Sequence, residues 1–412
     1  MLVDYMDLAG TEIVNSARAA AYALARGVPV QCDPCPDIAA AVGDMPYVDP
    51  VTDDAPWYDA AVPESRNVLG ILGLAVAGFD SGTITRTPVQ LVGDGAMIGA
   101  ARHQQREIAY TVLLIATDEC ALSYGLEWLS VAVQGSSCPS CTGDELCVFS
   151  CCPVDGQREL RHLYDVGLLD GPQVTGTQYL ANGAVLATVT FSLVAGRPWI
   201  YHEPLDTGGD WVPLGSGDLV PSTDPDQVYQ QCLQPEPCAA DPLCPPPPLP
   251  PQPPVPRPLC YPTGLDNFRR SRVGVSPLVQ SSWLETVPVL EVRVGSQDMR
   301  RLLVRFWTSQ DGSCEGDLDP CAACTDINIG YLPAGSTLRL DGRVQRAVVE
   351  CQQVPIGTAT STPTIYGPRG GLFEWPVFSC PTGLCIEVWS RADDTAPDAT
   401  ARVLLVPRAD AG

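Results

Sequence analysis

Arg106-Glu-Ile-Ala-Tyr-Thr-Val-Leu-Leu-Ile-Ala-Thr117 runs directly into Asp118-Glu-Cys-Ala-Leu-Ser-Tyr-Gly-Leu-Glu-Trp-Leu-Ser-Val-Ala-Val133, and the change of pattern between them decides the class of the N-terminal half. The first segment is dense in branched and aromatic residues and is bounded by turn formers, which reads as a strand. In the second, Ala121, Leu122, Leu126, Leu129 and Val133 recur at helical spacing, so it reads as an amphipathic helix over 118–134 docked on a sheet. The strand signal recurs on both sides, at 68–79 and 83–92 before the helix and at 159–169, 174–180 and 184–194 after it. A short strand over 2–8 opens the chain, and Asn15 or Ser16 caps an alanine-rich helix that ends near Gly27. Residues 28–66, rich in Pro and Asp, read as an extended arm. The expected N-terminal fold is an antiparallel β-sheet or sandwich with one or two helices.

Composition changes sharply further on. Cys244-Pro-Pro-Pro-Pro-Leu-Pro-Pro-Gln-Pro-Pro-Val-Pro256 cannot pair in a sheet and favours extended polyproline II, a semi-rigid spacer. Beyond it, short branched runs at 287–294, 301–308, 325–331, 336–340, 344–351, 364–366, 385–389 and 401–406 follow one another with turn residues between, as in a β-sandwich. The organisation read from the sequence is therefore an N-terminal strand, helix and arm over 1–66, a β-rich domain over 67–230 with a Cys-rich loop at 138–153, a Pro-rich linker over 231–264, and a C-terminal sandwich over 265–412.

At 412 residues the chain is long enough for two or three domains. Hydrophobic residues at 45% against charged residues at 17%, with 41 Pro and 37 Gly, fit a loop-rich and mainly β protein. The net charge is −24 and every basic residue is Arg. So acidic a surface repels phosphate backbones, and stable nucleic-acid binding is not expected. The absence of Lys, with abundant Ala, Gly, Pro, Arg and Asp, is the composition of a very GC-rich genome. Met1-Leu-Val-Asp-Tyr-Met-Asp7 carries acids where an export signal needs basic residues, and the longest nearly apolar run, 68–79, is interrupted by Gly. Neither export by a cleaved leader nor membrane insertion is expected. Eighteen cysteines are unusual for a cytosolic protein. Assembly in a cytosol followed by release into an oxidising medium would reconcile the two.

Catalytic chemistry is hard to place. His103, His162 and His202 are far apart in sequence and lack partner motifs, and no nucleophile elbow, zinc-protease helix or phosphate loop is present. Gly93-Asp-Gly-Ala-Met-Ile-Gly99 reads as a hairpin turn. Asp311-Gly-Ser-Cys-Glu-Gly-Asp-Leu-Asp319 spaces oxygens somewhat like a calcium loop but has Ala322 where the closing Glu belongs. No enzymatic activity and no cofactor are expected.

The cysteines admit more than one reading. Cys138, Cys141, Cys147 and Cys151 could close a tetrahedral zinc site, although their intervening loop is short for one. A redox role would need a thiol at a helix N-terminus, which the polar loop does not supply. Disulfides fit the wide distribution best, with Cys32, Cys35, Cys138, Cys141, Cys147, Cys151, Cys152, Cys321, Cys324, Cys380 and Cys385 as candidates and Cys314 and Cys351 as further single cysteines. Trp283, Trp307, Trp375 and Trp389 could form a sugar-stacking platform, although Trp in a sandwich is more often a core residue.

The runs Thr11-Glu-Ile-Val-Asn-Ser-Ala-Arg18, Ala55-Pro-Trp-Tyr-Asp59 with Pro63-Glu-Ser65, Tyr124-Gly-Leu-Glu-Trp-Leu129, Val166-Gly-Leu-Leu-Asp-Gly-Pro172, Phe191-Ser-Leu-Val-Ala-Gly196, and Tyr331-Leu-Pro-Ala-Gly-Ser-Thr-Leu-Arg-Leu-Asp-Gly342 with Phe373-Glu-Trp-Pro376 resemble the minor tail proteins of long-tailed phages that infect actinobacteria. Within that group the chain is similar to distal tail proteins. The resemblance implies a belt-like, ring-forming first domain joined to a galectin-like β-sandwich, and a homo-oligomeric ring, as a hexamer, between the tail tube and the tip or baseplate. It further implies contacts with the tail tube, tape measure and tail-tip hub proteins, a place in the virion, and assembly in the host cytoplasm. The alternative function is a tail module that binds host cell-wall glycans. The arm over 27–66 and the eighteen cysteines depart from the family pattern. Strong negative charge would suit the wall of a conduit along which DNA slides.

Overall fold

The computed structural model describes residues 3–30, 38, 42, 46–80, 84–136, 143–149, 160–205, 210–221, 267–275, 285–309, 312–316, 318, 323–351, 360–361, 365–367, 373–378 and 383–410. The chain divides into two units: unit 1 holds residues 1–204, 283–285 and 406–412, and unit 2 holds 205–282 and 286–405. Both are built on antiparallel strands.

Unit 1 begins with β1 (Tyr5–Leu8) and β2 (Thr11–Asn15), followed by α1 (Ser16–Ala25). Asn15 caps α1 by accepting from the Arg18 amide, an interaction worth about 1 kcal/mol. Then come β3 (Val68–Ala77), the short strands β4 (Ile84–Thr85), β5 (Pro88–Gln90), β6 (Ala96–Ile98) and β7 (Arg102–His103), the long β8 (Arg106–Ala116), and α2 (Glu119–Ala132). After α2 follow β9 (Asp144–Phe149), β10 (Leu160–Tyr179), β11 (Val185–Ala195) and β12 (Ile200–His202). The main sheet runs β2-β1-β9-β10-β11-β8-β3, with β12 also on β10. Its two ends approach each other: the Gly73 amide of β3 donates to Ser16 Oγ, and a Cβ at Gly73 would lie 1.8 Å from the Val3 carbonyl oxygen.

The strand and helix expected over 106–117 and 118–134 appear as β8 and α2. Strict alternation buries Arg106, Ile108, Tyr110, Val112 and Leu114 on one face of β8, and α2 turns Ala121, Leu122 and Leu129 toward the sheet. Gly125 lets α2 come close, since a Cβ there would sit 3.1 Å from a Leu114 methyl.

Three local expectations are corrected. The segment over 159–180, read as two strands, is the single strand β10, because β11 pairs along most of it despite register shifts. Within the segment read as a Cys-rich loop, residues 144–149 form β9, because Leu146 and Val148 alternate into the core. Residues 46–66, read as part of an extended arm, fold back on their own domain. Trp57 is buried edge-on to Tyr22 and Trp128, its Nε1 donates to the Val68 carbonyl, and its own carbonyl accepts from the Tyr124 hydroxyl.

Unit 2 is a β-sandwich. Its strands are β13 (Val212–Pro213), β14 (Asp218–Pro221), β15 (Asn267–Val275), β16 (Glu285–Arg293), β17 (Met299–Ser309), β18 (Thr325–Leu332), β19 (Ser336–Asp341), β20 (Arg346–Cys351), β21 (Thr360–Ser361), β22 (Ile365–Tyr366), β23 (Gly383–Arg391) and β24 (Thr400–Ala409), except that Glu285 of β16 and residues 406–409 of β24 are counted in unit 1. One sheet runs β14-β15-β23-β17-β18-β22, and the other strands include the ladder β16-β19-β20-β21 and the pair β13 with β24. Val304, Phe306, Ile386 and Val388 from the first pack against Val292, Leu338, Val403 and Leu405 from the second. The strand β15 was not expected; Phe268-Arg-Arg-Ser-Arg272 has too many charges for a sequence reader to place in a sheet.

Candidate functional site

The feature of unit 1 least accounted for by its own packing is the ribbon over 84–103. Among the described residues its strands pair only with each other, β4 with β7 and β5 with β6, and all of their residues are exposed. Leu91 donates its amide to the Gly95 carbonyl to close the turn, where Gly95 holds a left-handed φ of +99°. Val89, Met97 and Ile98 are 60, 62 and 69% exposed, and Val92 at the tip is wholly exposed. The ribbon is anchored at its base, where the His103 ring lies tilted against Trp199 with centroids 4.3 Å apart and its Nδ1 lies 3.4 Å from the Asp410 carboxylate. Sequence reading took 83–92 as one strand and 93–99 as a turn, which finds the hairpin and misses its exposure. Pro88 and the glycines at 93, 95 and 99 were the available signal, because a run so interrupted is a poor core strand.

Immediately below this base, Arg106 is fully buried. Its guanidinium donates to the carbonyl oxygens of Pro198, Gly78 and Asp410, and the Asp410 carboxylate lies 3.8 Å away. Three distant chain segments are thereby held at one point.

Two of the histidines, His162 and His202, and the Cys147 thiol lie on neighbouring strands. Cys147 stands opposite Asp7 on one side and His162 on the other, and His162 Nδ1 is 2.7 Å from Glu145 Oε1. A thiol beside an imidazole is a nucleophile only when it ionises. Here burial pushes the thiol up to about 12, with Asp7, Glu145 and Glu203 adding to the effect. It is a protonated thiol at neutral pH. His202 stands opposite Arg161, and burial first, then Arg161 and His162, pushes it down to about 3, so its ring is neutral. Among the described residues no group of three or more His, Cys, Asp or Glu is arranged to hold a metal ion.

Unit 2 carries its polar chemistry on the outer face of the first sheet. Arg272, Glu387, Arg305 and Asp326 are cross-strand neighbours in that order over β15, β23, β17 and β18. Arg272 Nε meets Glu387 Oε1 at 2.8 Å, and Arg305 Nε meets Asp326 Oδ1 at 3.4 Å. Basic and acidic side chains thus alternate across the four strands. Residues 312–316 lie against it: the Cys314 carbonyl accepts from Arg272 at 2.8 Å, and Cys314 is bonded to Cys385 of β23. Gly274 and Gly383 leave the room, since a Cβ on either would come within 2.5 Å of Gly312 backbone atoms.

Of the tryptophans considered for sugar stacking, Trp307 is buried opposite Cys385 in register, Trp375 packs edge-on to Phe373, and Trp389 donates to Glu387 beneath the Arg270 guanidinium. Trp283 lies outside the described residues. Cys324 and Cys147 are thiols, as are Cys120 and Cys351. The candidates Cys32, Cys35, Cys138, Cys141, Cys151, Cys152, Cys321 and Cys380 lie outside the described residues, as do Asp311, Asp317 and Asp319 of the calcium-like segment and the whole Pro-rich linker over 231–264. Among the described residues, no helix is long and apolar enough to cross a membrane.

No protein-family model matches the chain, and no curated protein matches it. Among solved structures it is similar to the Dit protein of phage SPP1, described as a hub of the adsorption apparatus in phages infecting Gram-positive hosts, with a TM-score of 0.37 and 11% identity over 82% of this chain and 93% of that one. It is also similar to a chain of the phage p2 baseplate in its activated conformation, with a TM-score of 0.40 and 10% identity over 86% of this chain and 94% of that one.

Proposed function

We propose that this chain is a structural protein of a phage tail tip, a distal-tail-like subunit that closes into a homo-oligomeric ring, as a hexamer, between the tail tube and the baseplate. The observation that carries the reading is where the family-like motifs fall. Thr11 to Arg18 forms the β2–α1 junction, Trp57 and Trp128 meet in the core, and Phe191 lies on β11 stacked on Tyr110. The resemblance thus rests on residues that build the scaffold of unit 1, where a structural role would place it. The side chains with chemistry to offer are spent internally: Arg106 on carbonyls, Cys147 as a protonated thiol, His202 as a neutral ring.

In this reading the other partners are the tail tube, tape measure and tail-tip hub proteins, and the protein acts in the virion after assembly in the host cytoplasm. Native mass spectrometry of the full chain, with negative-stain images of the same sample, tests it. Closed rings with a central opening are the expected result. A monomer at every concentration up to that used for imaging would overturn the ring.

A further inference from the structure

We propose that the ribbon over 84–103 of one copy docks along the open outer half of β10 in a second copy of this chain. The inference deepens the ring reading and rests on it for the identity of the partner.

An isolated two-stranded ribbon is marginal in water, and one that also exposes Val89, Leu91, Val92, Met97 and Ile98 lacks the apolar cover that stabilises strands. Its charge narrows the choice of cover. Residues 84–103 carry Arg86, Arg102 and Asp94, a net positive segment in a chain whose net charge is −24. Two copies would repel over most of their surfaces, and this ribbon is where they would not.

Unit 1 offers a surface of the opposite kind. The first part of β10 is paired on both sides, with β9 along one edge and β12, then β11, along the other. From residue 167 to 179 only β11 remains as a neighbour among the described residues, so the other backbone edge is open. Such an edge is a template for another strand. It exposes Leu169, Val174 and Tyr179, and it is acidic: Asp170 is exposed, and the Tyr179 hydroxyl donates to Glu119 at 2.9 Å. Residues 167–182 contain no basic side chain. One copy thus carries a basic apolar ribbon and a separate acidic apolar edge. Contact between two different patches is heterologous, and a heterologous contact closes into a ring when its rotation permits.

The experiment uses the full chain with the photo-cross-linking residue p-benzoylphenylalanine in place of Met97, together with the double variant Met97→Asp/Ile98→Asp. Irradiation is expected to give a covalent dimer whose cross-linked peptide falls within 167–182. The double variant is expected to keep the wild-type unfolding midpoint, because both side chains are exposed, while its association weakens roughly tenfold or more. An oligomeric wild type whose double variant assembles equally well, or a cross-link to any other segment, overturns this docking and leaves the ring reading standing. A wild type that is monomeric throughout overturns both.

Discussion

The Arg106 guanidinium, fully buried at the start of β8, donates to the carbonyl oxygen of Asp410, which lies 304 residues further along the chain. The same group serves Pro198 and Gly78, so replacing it strands buried acceptors that water reaches poorly. Losing each such partner costs about 1–3 kcal/mol. Arg106→Met is expected to lower unfolding stability by roughly 3 kcal/mol in urea titration. A loss below about 1 kcal/mol would mean that the carbonyls find solvent.

At Gly73 the argument is steric. A Cβ there would lie 1.8 Å from the Val3 carbonyl oxygen, which belongs to backbone and cannot rotate away. Gly73→Ala is therefore expected to separate β3 from the start of β1 and cost about 2–4 kcal/mol. Gly167, with nothing within 4 Å of its added Cβ, is the control, and Gly167→Ala should be within about 0.5 kcal/mol of wild type.

The Cys314–Cys385 disulfide closes a segment with a sequence separation of 71. Chain-entropy arguments give a cross-link of that length about 4 kcal/mol, and measured values often fall lower. Cys314→Ser in the oxidised protein is expected to lower the urea midpoint, with a further readout in faster proteolysis near Gly312. Unchanged digestion would show that the Arg272 contact to the Cys314 carbonyl holds the segment unaided.

Burial pushes the Asp326 carboxyl up to about 7 against 3.8 for the ordinary group. Arg305 lies within ion-pair range, but Glu387 also acts on it, and burial decides the direction. Between those two values the folded chain holds a proton that the unfolded chain has released. Stability contributed by this group is therefore full below about pH 4 and is lost as pH rises toward and through 7. His202 works the other way, since its depressed value costs stability as pH falls below 6.5 toward 3. The difference between Asp326→Asn and wild type isolates the first effect. The variant should gain on wild type as pH rises from 4 to 8, with a slope of at most about 1.4 kcal/mol per pH unit, read from urea midpoints. A flat difference would mean that Asp326 is ionised throughout.

Much of the scaffold was legible in the sequence because its signals are local. Alternation in Arg106 to Ala116 and the helical spacing of Ala121 to Leu129 depend only on which residues lie two or four places apart. The misreadings were also local in origin. Residues 144–149 sit between cysteine-rich runs whose turn composition masked the alternation of Leu146 and Val148, and the Arg-rich β15 is held as a strand by its ladders with β14 and β23, where Glu387 stands opposite Arg272. The ribbon over 84–103 reads as β from its residues, while its exposure is a property of what lies around it.

The sequence by itself determined a mainly β chain with two helix-bearing segments near its start, a Pro-rich stretch, a strong net negative charge and a C-terminal run of strands, because periodicity and composition are written residue by residue. Only the tertiary structure decided that residues 406–412 belong with the first unit, that Trp57 folds back into a core, that Cys314 pairs with Cys385, and that Cys147 remains a protonated thiol. Each of these is set by groups far apart in the chain whose charge, burial and close approach have no local signature.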